Sequence, residues 1–162
     1  MPDEVVNIVA VTGSQKEIQR LISQCFRPKR PSEEGDIHFD FETLIPLGTP
    51  RSVSIRGEVH LLDDRAEKWG TKWNAFGSYI VSQTTRRFEF GFNTAWAAPE
   101  PVYRQLGREF PALKFNITAI EFGQFRAIEV IVAADSVTFK EADFEKTYEK
   151  VFKEPFDDEP NT

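Results

Sequence analysis

Arg87-Phe88-Glu89-Phe90-Gly91-Phe92-Asn93 is the stretch whose reading decides the fold. Side chains of a strand point alternately to the two faces of a sheet, so three phenylalanines line one face while Arg87, Glu89 and Gly91 line the other. Residues 78–83 form a second strand-like run, and Thr84-Thr85-Arg86 joins the two into a hairpin with one aromatic face to bury. The cover for that face is written on either side of it. Downstream, Thr94-Ala95-Trp96-Ala97-Ala98 leads to Pro99, which suits a first helical turn because its missing N–H would be unpaired there anyway. Val102, Tyr103, Leu106 and Phe110 then share one helix face, and Pro111 stops the helix.

Upstream, Val5-Val6-Asn7-Ile8-Val9-Ala10-Val11 is rich in β-branched residues and reads as a buried strand closed by Thr12-Gly13. Ser14 and Glu17 have capping-box spacing, and Ile18, Leu21, Ile22 and Cys25 follow on one helical face. Arg27-Pro28-Lys29-Arg30-Pro31 ends that helix, and a polar loop follows through Asp36. Acidic residues follow this basic run at once, so it reads as a solvated loop rather than a nucleic-acid patch. Beyond Phe39-Asp40-Phe41 and Ile45-Pro46, alternation at Val53, Ile55 and Val59 suggests an extended piece, while Val59, Leu62, Ala66 and Trp69 fall at helical spacing. The second period places a helix over about residues 58–68.

After Pro111, residues 113–120 alternate as a strand, Gly123 turns the chain, and residues 125–132 form another strand. Thr138 and Glu141 repeat the capping-box spacing and predict a last helix with Phe144, Tyr148, Val151 and Phe152 along one side. This order predicts an α+β fold: a ferredoxin-like (split βαβ) antiparallel sheet covered by helices, with an insertion after the first helix and a C-terminal strand-helix extension. One domain spans residues 1–153, and residues 154–162 read as an acidic, proline-marked disordered tail.

Composition narrows the function classes. A chain of 162 residues with 40% hydrophobic content suits a single domain, and a net charge of −6 argues against nucleic acid or an anionic membrane as the partner. The acidic start and short apolar run at residues 1–11 do not resemble a secretory signal, and no run reaches membrane-spanning length, so a cytoplasmic protein is expected. One cysteine excludes an intrachain disulfide, and His38 and His60 lie apart without metal-ligand spacing, so no metal site, cofactor or catalytic set is expected.

All three tryptophans fall in Trp69-Gly70-Thr71-Lys72-Trp73-Asn74-Ala75 and Thr94-Ala95-Trp96. These segments, together with Phe39-Asp40-Phe41, Ile45-Pro46, Pro99, Pro101 and Phe110-Pro111-Ala112-Leu113, resemble the YubB-like family of plasmid- and phage-encoded proteins. The resemblance runs from about Val5 to Glu121 and implies a ferredoxin-like domain. It implies no biochemical activity. Two readings of the tryptophan segments stand side by side. In one, Trp69, Trp73 and Trp96 pack between hairpin and helices, with Asn74 and Thr94 bonding irregular backbone and Gly70 permitting a turn. In the other, Trp73 and Trp96 frame a groove in which Lys72 and Asn74 meet a bound group.

The candidate partner-binding residues are therefore Trp69, Lys72, Trp73, Asn74, Thr94 and Trp96, and the expected function is a non-enzymatic protein-interaction module of mobile-element origin. A nucleic-acid-binding sheet using Phe88, Phe90 and Phe92 with Arg86 and Arg87, and a small-ligand protein or enzyme with a tryptophan-lined pocket around Lys72, are the alternatives. Oligomeric state is not encoded in any motif.

Overall fold

The β-branched run near the N-terminus forms β1 (Glu4–Thr12) in the computed structural model, which describes residues 3–157. Ser14 caps α1 (Gln15–Cys25), its hydroxyl accepting from the Glu17 N–H at 3.3 Å, while the Glu17 carboxylate pairs with Arg20 at 3.0 Å instead of closing the capping box. The insertion follows. It contains β2 (Phe26–Pro28) paired with β3 (Ile37–Phe39), a 3₁₀ turn at Phe41–Thr43, β4 (Ser52–Ile55) paired with β5 (Glu58–Leu61), and the short α2 (Arg65–Trp69). The hairpin of β6 (Phe76–Gln83) and β7 (Arg87–Ala95), then α3 (Glu100–Glu109), β8 (Lys114–Glu121), β9 (Arg126–Ala133), β10 (Ser136–Ala142) and α4 (Phe144–Phe152) complete the chain.

Six strands form one antiparallel sheet in the order β10-β9-β8-β1-β7-β6. Register fixes its faces: Val9 sits opposite both Phe90 and Ile117, and Ile117 sits opposite Val130. Those residues join Phe88, Phe92 and Phe115 in one core with Ile18 and Leu21 of α1 and Val102, Tyr103 and Leu106 of α3. The insertion seals this core. Phe26 meets Phe90 edge-on at 4.9 Å and Phe39 lies 5.0 Å from Phe92, so the aromatic row is roofed by rings from outside the sheet. Rings so enclosed cost about 3–5 kcal/mol each to truncate to alanine.

The other face of the sheet is covered at one end only. There Phe144 of α4 packs on Val6 and Ile120, and Phe156 stands edge-on to Phe144 at 4.9 Å. Residues 158–162 of the expected tail lie outside the described residues. The rest of that face, around Ile8, Ala10, Tyr79, Arg87 and Glu89, lines a cleft of about 690 Å³ beside the end of α4.

Two expectations are corrected. The helix over residues 58–68 begins only at Arg65, because Glu58–Leu61 is the return strand of a hairpin whose turn, Arg56 (φ 51°) and Gly57 (φ 82°), reverses the chain. The capping box at Thr138 and Glu141 is not one. Both residues lie in β10, paired residue by residue with β9, and the true cap of α4 is Asp143, which accepts from the Lys146 N–H at 2.9 Å. The extension therefore holds one strand more than the spacing suggested.

Candidate functional site

Trp69 ends α2, and Gly70 takes over in the left-handed conformation (φ 77°) that halts a helix without a Cβ clash. A Cβ on Gly70 would lie 2.7 Å from Cδ of Pro101. Trp69 is buried; its Nε1–H donates to the Ile45 carbonyl at 2.9 Å and its ring meets Phe41 edge-on. Thr71 then donates its hydroxyl to the Ala95 carbonyl at 2.7 Å, tying this segment to the end of β7.

Asn74 is equally committed inward. Its Oδ1 accepts from the N–H groups of Phe41 (3.0 Å) and Ala75 (2.8 Å), and its Nδ2 donates to Asp40 Oδ1 at 2.9 Å. Thr94 Oγ1 accepts from Asn7 Nδ2 at 3.2 Å and donates to the Ala97 carbonyl at 2.8 Å. Trp69, Asn74 and Thr94 thus hold the surrounding chain together.

Lys72, Trp73 and Trp96 face the other way. Trp96 is 59% exposed and Trp73 is 38% exposed. The Lys72 ammonium lies 4.4 Å from the Trp96 ring centroid and 5.4 Å from that of Trp73, bridging the two indoles through cation–π contacts worth about 0.5–1 kcal/mol at an exposed site. Trp96 has φ 73°, and the Ala97 N–H donates back to the Ala95 carbonyl at 3.0 Å across it. This is the γ-turn with positive φ, a strained geometry for a bulky residue. Its N–H donates to the Asp3 carbonyl at 2.7 Å, which holds the turn from the N-terminal side.

Beside this platform, Gly70, Ala97 and Pro101 line a cleft of about 860 Å³ whose far side is Arg126, Phe139 and Glu141. Two of its cations pair with carboxylates that line it, Arg104 with Glu100 at 3.0 Å and Arg126 with Glu141 at 3.1 Å, while Arg108 and Lys140 line it as well. Sequence reasoning missed this cleft, because it depends on β10. It also missed Asn7, Asp40 and Tyr103. The Tyr103 hydroxyl donates to Asn7 Oδ1 at the root of the Thr94 turn, and burial pushes its phenol well above the usual range, so it remains a donor. A lone polar residue, Asn7, inside a β-branched run was the one signal for that network.

The other candidate chemistries find little here. Phe88, Phe90 and Phe92 are wholly buried and present no ring to a base. The basic run folds onto one carboxylate: Glu33 pairs with Arg27 at 3.0 Å and accepts from the Arg30 N–H at 2.7 Å, which together hold it down at about 2. Burial pushes the Cys25 thiol up to about 12, leaving it protonated and unreactive. Among the described residues, no ion pair joins Lys72 to a carboxylate, no group of three or more His, Cys, Asp or Glu could hold a metal ion, and no helix is long and apolar enough to cross a membrane. Comparisons with protein-family models, curated proteins and solved structures find no match.

Proposed function

We propose that this chain is a non-enzymatic protein-interaction module that docks a protein partner through Trp73, Lys72 and Trp96, with the neighbouring cleft receiving a partner side chain. One observation carries this reading: the largest apolar side chain in the sequence is held out in solvent on a strained γ-turn, although a glycine there would remove the strain. Aromatic residues on a rigid base are favoured anchors of protein interfaces, since they lose little side-chain freedom on binding. The ferredoxin-like split βαβ reading belongs to the same proposal and draws support from the antiparallel order β8-β1-β7-β6 with α1 and α3 in the core on one face. The resemblance to YubB-like proteins, and with it a mobile-element origin and a cytoplasmic setting, extends this proposal.

Affinity capture from a lysate of the source cell tests it. A specific partner should be retained by the unaltered chain and by Phe125→Ala, an exposed ring elsewhere, and lost with Trp96→Ala or Trp73→Ala that keep the native circular dichroism. Capture indifferent to both tryptophans would refute the site.

A further inference from the structure

β4 and β5 form an arm with no shelter: all eight strand residues are exposed. Val59 and Leu61 are 72% and 75% exposed, and Val53, Ile55 and Leu62 add to the patch. Pairing places Val59 and Leu61 on one face, opposite Ser54 and Ser52, and Val53 and Ile55 on the other, so neither face is simply polar. An isolated two-stranded hairpin is marginal in water, and a contiguous exposed apolar patch larger than roughly a few hundred Å² marks an interaction surface. The arm is nevertheless built to hold its shape. Its two-residue turn has the left-handed dihedrals that match strand twist, the Leu62 N–H donates to the Arg51 carbonyl at 2.9 Å, and Arg51 forks onto Asp64 at its base.

The same chain carries a complement. β6 is a terminal strand of the sheet. Its first half is covered, the Asp36 N–H donating to the Ser78 carbonyl at 2.9 Å. Among the described residues, no strand pairs with the outer edge from Tyr79 to Gln83, where Ile80 and Val81 are exposed. An open apolar edge recruits another strand. Exposed Asp36, bonded to Ser78, stands at the head of this edge, and exposed Arg56 is the cation at the arm's tip.

We propose that the chain forms a two-fold dimer in which β5 of each copy pairs along the open edge of β6 in the other. One patch pair used twice closes at two copies instead of growing into a filament. A specific interface has to bury more than roughly 1,000 Å², and the two-fold arrangement doubles what one arm on one edge contributes.

Sedimentation equilibrium over micromolar to millimolar concentrations tests this with two variants, an arm variant (Val59→Glu with Leu61→Glu) and an edge variant (Ile80→Lys with Val81→Lys). Far-UV circular dichroism confirms that each folds. The unaltered chain should dimerise, and each variant should do so roughly a hundredfold more weakly. The two variants mixed should form a heterodimer, because the intact arm of one still meets the intact edge of the other. A monomeric wild type overturns the proposal. So does an edge variant that dimerises normally, or a mixture that gives no heterodimer, as an arm-to-arm dimer or another protein as the occupant would produce.

Discussion

Tyr103→Phe removes one oxygen from the centre of the molecule. Tyr103 and Asn7 are both buried, and among the described residues Asn7 Oδ1 accepts only the Tyr103 hydroxyl, while Asn7 Nδ2 reaches the carbonyls of Val5 (3.2 Å) and Phe92 (3.4 Å) as well as Thr94. Without the hydroxyl, an amide oxygen is left buried and unpaired, which costs about 1–3 kcal/mol. Urea unfolding is the assay. With a slope of about 2–3 kcal/mol per molar, a loss near 2 kcal/mol moves the midpoint down by close to 1 M and leaves the slope unchanged. Tyr148→Phe is the control, since that hydroxyl donates to Glu154 at an exposed site. Asn7→Ala supplies the second leg of a cycle, and in its background Tyr103→Phe should cost much less, a coupling of about 0.5–3 kcal/mol. Equal midpoints for Tyr103→Phe and wild type, or strict additivity with Asn7→Ala, would refute the reasoning.

Three further outcomes follow from other positions. Gly107→Ala would normally strengthen a helix by about 1 kcal/mol. Here the new Cβ would meet the Ala134 carbonyl oxygen at 2.2 Å and Val132 Cγ1 at 2.6 Å, so a lower melting temperature is expected and a higher one would contradict the packing of α3. Trp96→Gly should be more stable than Trp96→Ala by about 1 kcal/mol in chemical denaturation, because glycine alone relieves the positive φ; equal stabilities would mean that the γ-turn does not persist in solution. Burial pushes His38 below its ordinary value, with Arg27 acting in the same direction against Glu33 and Asp40, and among the described residues its buried Nε2 makes no hydrogen bond. Its folded value lies below the unfolded 6.5, so the unfolded chain binds the proton first. Stability should therefore fall as pH drops from about 6.5 through the lowered value. Denaturation midpoints with and without His38→Gln across this range check it, and parallel curves would refute it. Glu33, lowered from 4.5 to about 2, adds its own loss of stability in the same direction as pH falls from about 4.5, so the His38 effect is read above that pH.

Where one period dominated, sequence and fold agree. Phe88, Phe90 and Phe92 alternate cleanly because a single face is buried, and the face of α3 was readable because Val102, Tyr103 and Leu106 meet one core. Where two signals competed, tertiary pairing chose. Thr138 and Glu141 have the spacing of a cap, yet alternation through Val137 and Phe139 fits a strand, and the available edge of β9 settled it. Val59, Leu62, Ala66 and Trp69 matched a helix, but only Trp69 reached the core, so nothing rewarded a helical first half. The tryptophan segments were legible as important and illegible as to role. Trp69, Trp73 and Trp96 have the same side chain, and the turn that holds Trp96 in solvent is one that no residue type announces.

The separation of the two hydrophobic clusters has its own consequence. Val6, Ile120 and Phe144 share no buried residue with the main core, and α4 has nine residues, too few to stay helical alone. The helix and its rings therefore behave as a cooperative unit of their own, held to the sheet by one aromatic seam. Such a unit detaches at a smaller free energy than global unfolding, and its amides exchange with solvent before those of β1, β7 and β8. Each detachment uncovers Val6 and Ile120 and extends the bare face of the sheet to the far end of its central strand.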